Sequence, residues 1–119
     1  MLIGMDANVY GLSNRRELEI NEKFIILRDT KSGKVVKIPS RIWILLTRKF
    51  SKIEKALHNS KEYFVYLDDG WCASVRKPFA NVSIRRFYFA HNGGLSPSRQ
   101  GMSFKPSEWA ALTRRASID

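Results

Sequence analysis

The strongest constraint on the fold is a strand–turn–strand–helix pattern in the C-terminal third of the chain, residues 82–114. Alternation along its first strand places Ser83, Arg85, Phe87 and Phe89 on one face and Val82, Ile84, Arg86 and Tyr88 on the other. Arginines beside flat aromatic rings on a sheet are what a platform for unpaired nucleic-acid bases requires. Aromatic residues also favour strands for packing reasons, so an amphipathic strand without a binding role explains this segment equally well.

Composition indicates a basic folded surface. The chain has 119 residues, enough for one compact domain, and 44% of them are hydrophobic, which is sufficient for a core. Lysine and arginine number 21 against 11 acidic residues, which gives a formal net charge of +10 spread along the whole chain. A small domain this basic usually binds a polyanion, either a nucleic acid or an anionic membrane surface.

The single cysteine, Cys72, leaves no partner for a disulfide within the chain and favours a reducing compartment. No apolar run approaches the roughly 20 residues of a membrane-spanning helix. The first residues also lack the basic and apolar regions of a signal peptide. We therefore expect an intracellular protein that is not a membrane protein.

The N-terminal half reads as strands followed by a helix. We expect an arm over residues 1–16, a first half over 17–60 with a hairpin or meander, and a helix over 40–59 that Ser40 caps. The hairpin turn and its return strand carry Lys31, Lys34 and Lys37. The apolar stripe of the helix consists of Trp43, Leu46, Phe50, Ile53 and Leu57.

The second half, residues 61–119, repeats this order. Strands over 62–67 and 71–76 flank Asp68-Asp69-Gly70, a strong hairpin signal because Asp-Gly supplies the positive φ angles of tight turns. The strand over 82–89, a short strand over 100–104 and a helix from Pro106 follow.

The two helices share a Trp-x-x-Leu-Thr-Arg register, beginning at Trp43 in the first half and at Trp109 in the second. The sequence therefore predicts an α+β fold in which a curved antiparallel sheet is followed by a helix, with this unit duplicated around a pseudo-twofold axis. Coincidence is the alternative, because the shared segment is short and the first half reads as having fewer strands. The predicted seam between the halves consists of Trp43, Leu46, Phe50, Trp109 and Leu112.

Residues of the second half resemble the transcriptional positive-cofactor-four family of single-stranded-DNA-binding coactivators. That family has a strand ending Ile-Arg-x-aromatic-aromatic, a Pro-x-Arg-x-Gly loop, an Ile-Ser-Leu strand and a helix opening Pro-x-x-Trp-x-x-Leu. The corresponding segments here are Ile84-Arg-Arg-Phe-Tyr88, Pro97-Ser-Arg-Gln-Gly101, Met102-Ser-Phe104 and Pro106-Ser-Glu-Trp-Ala-Ala-Leu112. The resemblance covers about residues 62–119, and Gln100 stands where the family often has lysine.

The resemblance implies a curved four-stranded sheet that binds single strands as a dimer, with Arg85, Tyr88 and Arg99 at binding positions. Arg76 matches a basic position at the end of the first hairpin, and Phe79 roughly matches an aromatic one. Because the N-terminal half is not part of the family core, a homodimer and an intramolecular pseudo-dimer both remain open. The full set of predicted nucleic-acid-binding residues is Arg76, Lys77, Phe79, Arg85, Tyr88, Arg99, Lys31, Lys34 and Lys37.

The predicted function is single-stranded DNA binding without sequence specificity, in replication, recombination, repair or transcription. Basic residues would contact phosphates, and Tyr88, Phe79 and Trp71 would stack on bases. Alternatives are a transcription cofactor acting mainly through protein contacts, and an RNA-binding protein. The lack of a serine-rich tail favours a bacterial or phage-infected cytoplasm over a nucleus.

Catalysis is not expected. Nucleases usually cluster carboxylates around a divalent metal, whereas the adjacent pair Asp68-Asp69 is explained by the hairpin turn. His58 and His91 have no partner at metal-site spacing. Neither a cofactor nor a metal is predicted, and the apolar stripe of the basic helix is needed in the core and not at a membrane.

Overall fold

Two four-stranded antiparallel sheets, each followed by helix, make up the computed structural model, which describes residues 8–77 and 80–116. The predicted α+β class is confirmed. The strands are β1 (Val9–Gly11), β2 (Arg16–Ile20), β3 (Phe24–Asp29), β4 (Val35–Pro39), β5 (Tyr63–Asp68), β6 (Trp71–Arg76), β7 (Asn81–Phe89) and β8 (Leu95–Phe104). The helices are α1 (Ser40–Thr47), α2 (Phe50–His58) and α3 (Pro106–Ala116). The strands of each sheet are neighbours in chain order, β1 to β4 and β5 to β8.

One hydrophobic core joins the two halves. Alternate residues of β3, such as Ile25 and Leu27, and of β7, such as Val82 and Ile84, point into it. The same alternation leaves the opposite face of each sheet outside the core. We call the side of β1 to β4 that faces away from the core the first outer face, and the corresponding side of β5 to β8 the second outer face.

The helical stripes of the two halves meet inside this core. Phe50 and Trp109 pack edge to face with ring centroids 5.2 Å apart, and Trp43 packs on Phe50 at 6.5 Å. Leu46 and Leu112 are fully buried beside them. The five predicted seam residues therefore all lie in the core of a single chain.

The single helix predicted over 40–59 is wrong, because the chain turns between α1 and α2. Lys49 N–H donates to the carbonyl of Leu46 at 2.8 Å, a tight three-residue turn, before Ile53 N–H resumes helical bonding to Lys49. α1 packs on β4 and β5, whereas α2 packs on β6. The turn lets one apolar stripe cover both surfaces.

Ser40 is not the helix cap. Pro39 occupies the N-cap position without a side-chain cap bond, and Ser40 is the first residue of α1. The Ser40 hydroxyl instead donates to the carbonyl of Glu22 at 2.9 Å and ties the helix start to the loop before β3.

The first half has as many strands as the second, contrary to the expectation of fewer. Part of the expected arm is β1, which pairs with β2 through Tyr10 opposite Leu18. β1 has only three residues, too few to show alternation, so sequence periodicity could not reveal it. Residues 1–7 lie outside the described part of the chain.

The predicted hairpin turn between β5 and β6 is present. Asp69 and Gly70 both have positive φ, 51° and 84°, as a tight two-residue turn requires. A Cβ on Gly70 would fall 2.2 Å from the carbonyl oxygen of Phe87, so glycine is needed for close contact with β7 as well as for the turn.

The last strand is longer than the predicted 100–104. β8 begins at Leu95 and passes through Pro97, which lies opposite Phe87. β8 is an edge strand, where a proline without an N–H is tolerated. The proline misled the sequence interpretation because it was read as part of a turn.

Candidate nucleic-acid interface

The second outer face forms a groove of about 850 Å³ on the side of the sheet away from the core. Its lining includes the arginines Arg76, Arg85 and Arg99, the rings of Phe64 and Phe87, and the hydroxyls of Ser74, Ser83 and Ser98. Glu62, Tyr63, Cys72, Val75 and Pro97 complete it. All four strands of the second sheet contribute to the groove: β6 and β7 turn alternate residues outward, and β8 adds the consecutive residues Pro97 to Arg99.

Arg85 lies at the centre of this groove. In the sheet it is flanked by Cys72 on β6 and by Gly101 on β8. Its Nη1 donates to the carbonyl of Ser98 at 2.9 Å, which orients the guanidinium across β8. A Cβ on Gly101 would lie 2.8 Å from Cβ, Cγ and Cζ of Arg85, so the side chain occupies space that only glycine leaves open.

A bulge in β8 brings Arg99 to the groove. Arg85 pairs with Gly101 and Phe87 with Pro97, so one residue of β7 lies opposite three of β8. The Ser98 hydroxyl donates to the carbonyl of Arg86 at 2.6 Å and holds the bulge closed. The sequence showed the arginine but not the bulge that positions it.

Two phenylalanines of the groove, the exposed Phe64 and the half-buried Phe87, supply aromatic surface. Phe64 and Phe87 pack edge to face with centroids 6.2 Å apart, and Phe64 is 56% exposed. Phe89 follows on the same face of β7 and is 73% exposed. The predicted site omitted all three, although alternation already placed Phe87 and Phe89 on the face of Arg85.

The three groove arginines have no carboxylate partner among the described residues. Arg86 instead contacts Asp69 at 2.9 Å, and Arg41 contacts Asp68 at 2.8 Å. The hydrogen bond from Arg41 is the main cause that lowers the pKa of the Asp68 carboxyl. The Asp68-Asp69 pair is thus held by arginines.

Of the predicted binding residues, the structure brings Arg76, Arg85 and Arg99 together. Tyr88 lies in a second depression of about 460 Å³ beside Tyr66 and Arg86. Lys77 is exposed at the end of β6. Phe79 lies outside the described residues. Trp71 is 1% exposed in the core, so the proposed stacking role for it is wrong.

The three lysines of the first half that were predicted to bind nucleic acid lie in different surroundings. Lys34 follows the β3–β4 turn and is exposed, and partial desolvation, with the nearby charges of Arg85 and Arg16, lowers the pKa of its ammonium group. Lys37 lies over the Phe24 ring at 6.0 Å on the first outer face. Lys31 is exposed in the turn.

Arg16 connects the first half to β8, the strand at the edge of the groove. Arg16 Nη1 donates to the carbonyl of Ser103 on β8 at 2.6 Å, while its Nε contacts Asp29 at 2.8 Å. This arginine therefore links the β3–β4 turn, and with it Lys34, to the edge of the second sheet.

In residues 8–77 and 80–116, no cluster of three or more His, Cys, Asp or Glu side chains is arranged to hold a metal ion. None of the helices in these residues is long and apolar enough to span a bilayer. No family model matches the chain, and neither a curated protein nor a solved structure does. The likeness to the positive-cofactor-four family therefore rests on the quoted motifs alone.

Proposed function

We propose that this protein binds single-stranded DNA, without sequence preference, in the groove of the second outer face. The observation that carries the proposal is that three arginines, which have no carboxylate partner among the described residues, share one sheet face with the exposed ring of Phe64 and the half-buried ring of Phe87. Guanidinium groups bind phosphate oxygens well, and aromatic rings stack on any base.

This arrangement favours a single strand over a duplex. Stacking requires a base whose face is not covered by its neighbours, which a duplex does not offer. A ring that stacks on every base carries no sequence information, and neither do phosphate contacts. Such binding would hold strands open in replication, recombination, repair or transcription.

We also propose that the intramolecular pseudo-dimer, and not a homodimer, is the binding unit. The Phe50–Trp109 contact fills the predicted seam within one chain. Light scattering of the free protein is expected to give the mass of one chain, and the mass of two chains would contradict this part of the proposal.

The binding proposal is tested by fluorescence anisotropy with a labelled single strand of about 20 nucleotides, its duplex, and RNA of the same sequence. We expect the single strand to bind more tightly than the duplex. The affinity should fall with salt with a log–log slope of about 2 if all three arginines contact phosphates, at ~0.7 each. If RNA binds more tightly than DNA, the proposed ligand would be RNA, and the proposed binding groove would stay the same.

Arg85→Ala is expected to weaken binding about tenfold, as for one lost charge-assisted hydrogen bond. Arg48→Ala is the matched control, because Arg48 is exposed outside the groove lining and its loss changes the net charge equally. Equal binding to all three ligands that disappears at high salt would contradict the proposal and leave only a generally basic surface.

A further inference from the structure

The two sheets place an arginine at matching positions. Arg28 follows the buried residue Leu27 in the third strand of the first sheet, and Arg85 follows the buried residue Ile84 in the third strand of the second. Arg28 pairs across the sheet with Glu17 and Val35, in the positions that Cys72 and Gly101 take beside Arg85. The residues around Arg28 and around Arg85 can therefore be compared position by position.

The charge of Arg28 is already neutralised. Its Nη1 lies 2.7 Å from Oε1 of Glu19, and this hydrogen bond is the main cause that lowers the pKa of the Glu19 carboxyl. Glu17 lies directly across the strand pair from Arg28. The residue of the second sheet that matches Glu19 is Ser74, which has no charge.

The space beside Arg28 is also different. Gly101 lets the side chain of Arg85 lie across β8, whereas its counterpart beside Arg28 is Val35, which is 51% exposed. Lys37 is the remaining cation on the strands of this face, and it lies close enough to Glu19 to lower the pKa of that carboxyl further. The two cations of the first outer face thus stand beside two carboxylates.

We infer that each chain binds one strand, on the second sheet only, because Glu17 and Glu19 exclude nucleic acid from the first outer face. This inference rests on the proposed function and specifies it. A phosphate approaching Arg28 would have to displace Glu19 and pass the second carboxylate, and like charges at such distances repel. The repeat of the fold therefore provides two similar sheets but a single site.

Native mass spectrometry can count the bound strands, with oligothymidylate of about ten nucleotides as the probe. We expect one oligonucleotide per chain at saturation for the wild type. Replacing both carboxylates, Glu17→Ser with Glu19→Ser, should allow a second and weaker one, because Arg28 is then unpaired. The matched control is Glu22→Ser with Glu54→Ser, which removes two exposed carboxylates elsewhere and should keep one.

A second readout uses the matched arginines themselves. Arg85→Ala should lower wild-type affinity about tenfold, whereas Arg28→Ala should leave it within about twofold. Thermal unfolding of each variant verifies that it folds.

Two oligonucleotides on the wild type would overturn the inference while leaving the proposed function intact. The inference would also be overturned if the control variant bound a second oligonucleotide, or if the Glu17→Ser with Glu19→Ser variant still bound only one. No oligonucleotide on the wild type would remove the proposed function and this inference with it.

Discussion

The position that a Cβ on Gly101 would occupy lies 2.8 Å from Cζ of Arg85, and equally close to Cβ and Cγ of that side chain. The two residues face each other across β7 and β8 and must be considered as a pair. The glycine is required by the arginine that lies over it, because no positive φ is recorded at position 101.

Gly101→Ala should therefore displace Arg85 and weaken single-strand binding about as much as Arg85→Ala does, roughly tenfold. It should also cost on the order of 1–3 kcal/mol of unfolding free energy through overpacking. In the double variant the contacts with Cγ and Cζ are gone, so the two binding losses should be far less than additive, whereas the contact with the Cβ of residue 85 remains and should keep part of the stability cost. A double-mutant cycle in urea unfolding and in anisotropy measures this, and additive losses would show that the two residues are independent.

Phe87 is expected to be the main stacking residue. Phe87→Leu keeps an apolar side chain but removes the aromatic face, and should lose about 1–3 kcal/mol of binding free energy, one stacked base. Phe87→Tyr should retain most of the affinity. Tyr88→Ala is the comparison, because Tyr88 lies in the neighbouring depression, and we expect a smaller loss. A larger loss for Tyr88→Ala would place the strand along that depression.

Asp29 should make stability sensitive to acid. Its buried carboxylate accepts N–H groups of Ser32 and Lys31 at 2.9 and 3.0 Å and contacts Arg15 at 2.6 Å and Arg16 at 2.8 Å. The Ser32 bond is the main cause that holds the pKa of Asp29 far below its ordinary value. Because the folded pKa is depressed, the stabilisation is complete well above the unfolded pKa of about 3.9 and is lost progressively as pH falls from there towards the much lower folded pKa.

Asp29→Asn keeps an acceptor for the two N–H groups but loses the charge. We expect it to unfold at a lower temperature than wild type near neutral pH, with the difference narrowing as pH falls through about 4. Thermal unfolding between about pH 7 and pH 3 measures this, with the exposed Glu54→Gln as control. A constant difference across that range would mean that the carboxylate charge does not matter.

Ser13 should contribute to the free energy of unfolding although the residue is exposed. Its hydroxyl donates at 2.7 Å to Oε2 of Glu108, whose Oε1 accepts the N–H of Lys105 at 3.0 Å at the start of α3. Glu108 is 5% exposed, so Ser13→Ala leaves a buried charge with one partner fewer, a cost of about 1–3 kcal/mol. Urea unfolding measures it, with the exposed Ser107→Ala as control; equal midpoints would contradict the role of Ser13.

Local signals located much of the architecture. Asp69-Gly70 placed a hairpin correctly because two consecutive positive φ angles are required there by the turn itself. The stripe containing Trp43 and Leu46 was identified because helical periodicity records which side is buried. The break between α1 and α2, before Phe50, was missed because it depends on tertiary packing: α1 packs on β4 and β5, whereas α2 packs on β6.

The site was predicted in part. Arg76, Arg85 and Arg99, all three predicted as binding residues, lie in one groove. Phe64 was missed because its role depends on the strand partner that brings it to Phe87. That contact joins β5 to β7, which are not adjacent in the sheet, so no local pattern contains it.

The sequence by itself determined the basic character, the strand and turn periodicities and the two apolar stripes, because these depend on composition and on preferences that act over a few residues. The tertiary structure alone decided that the bulge in β8 presents Arg99 beside Arg85, that Glu19 neutralises Arg28, and that Ser13 reaches Glu108 from 95 residues away. Such contacts follow from how the sheets pack and pair, and distant pairings are not encoded in any local stretch of the chain.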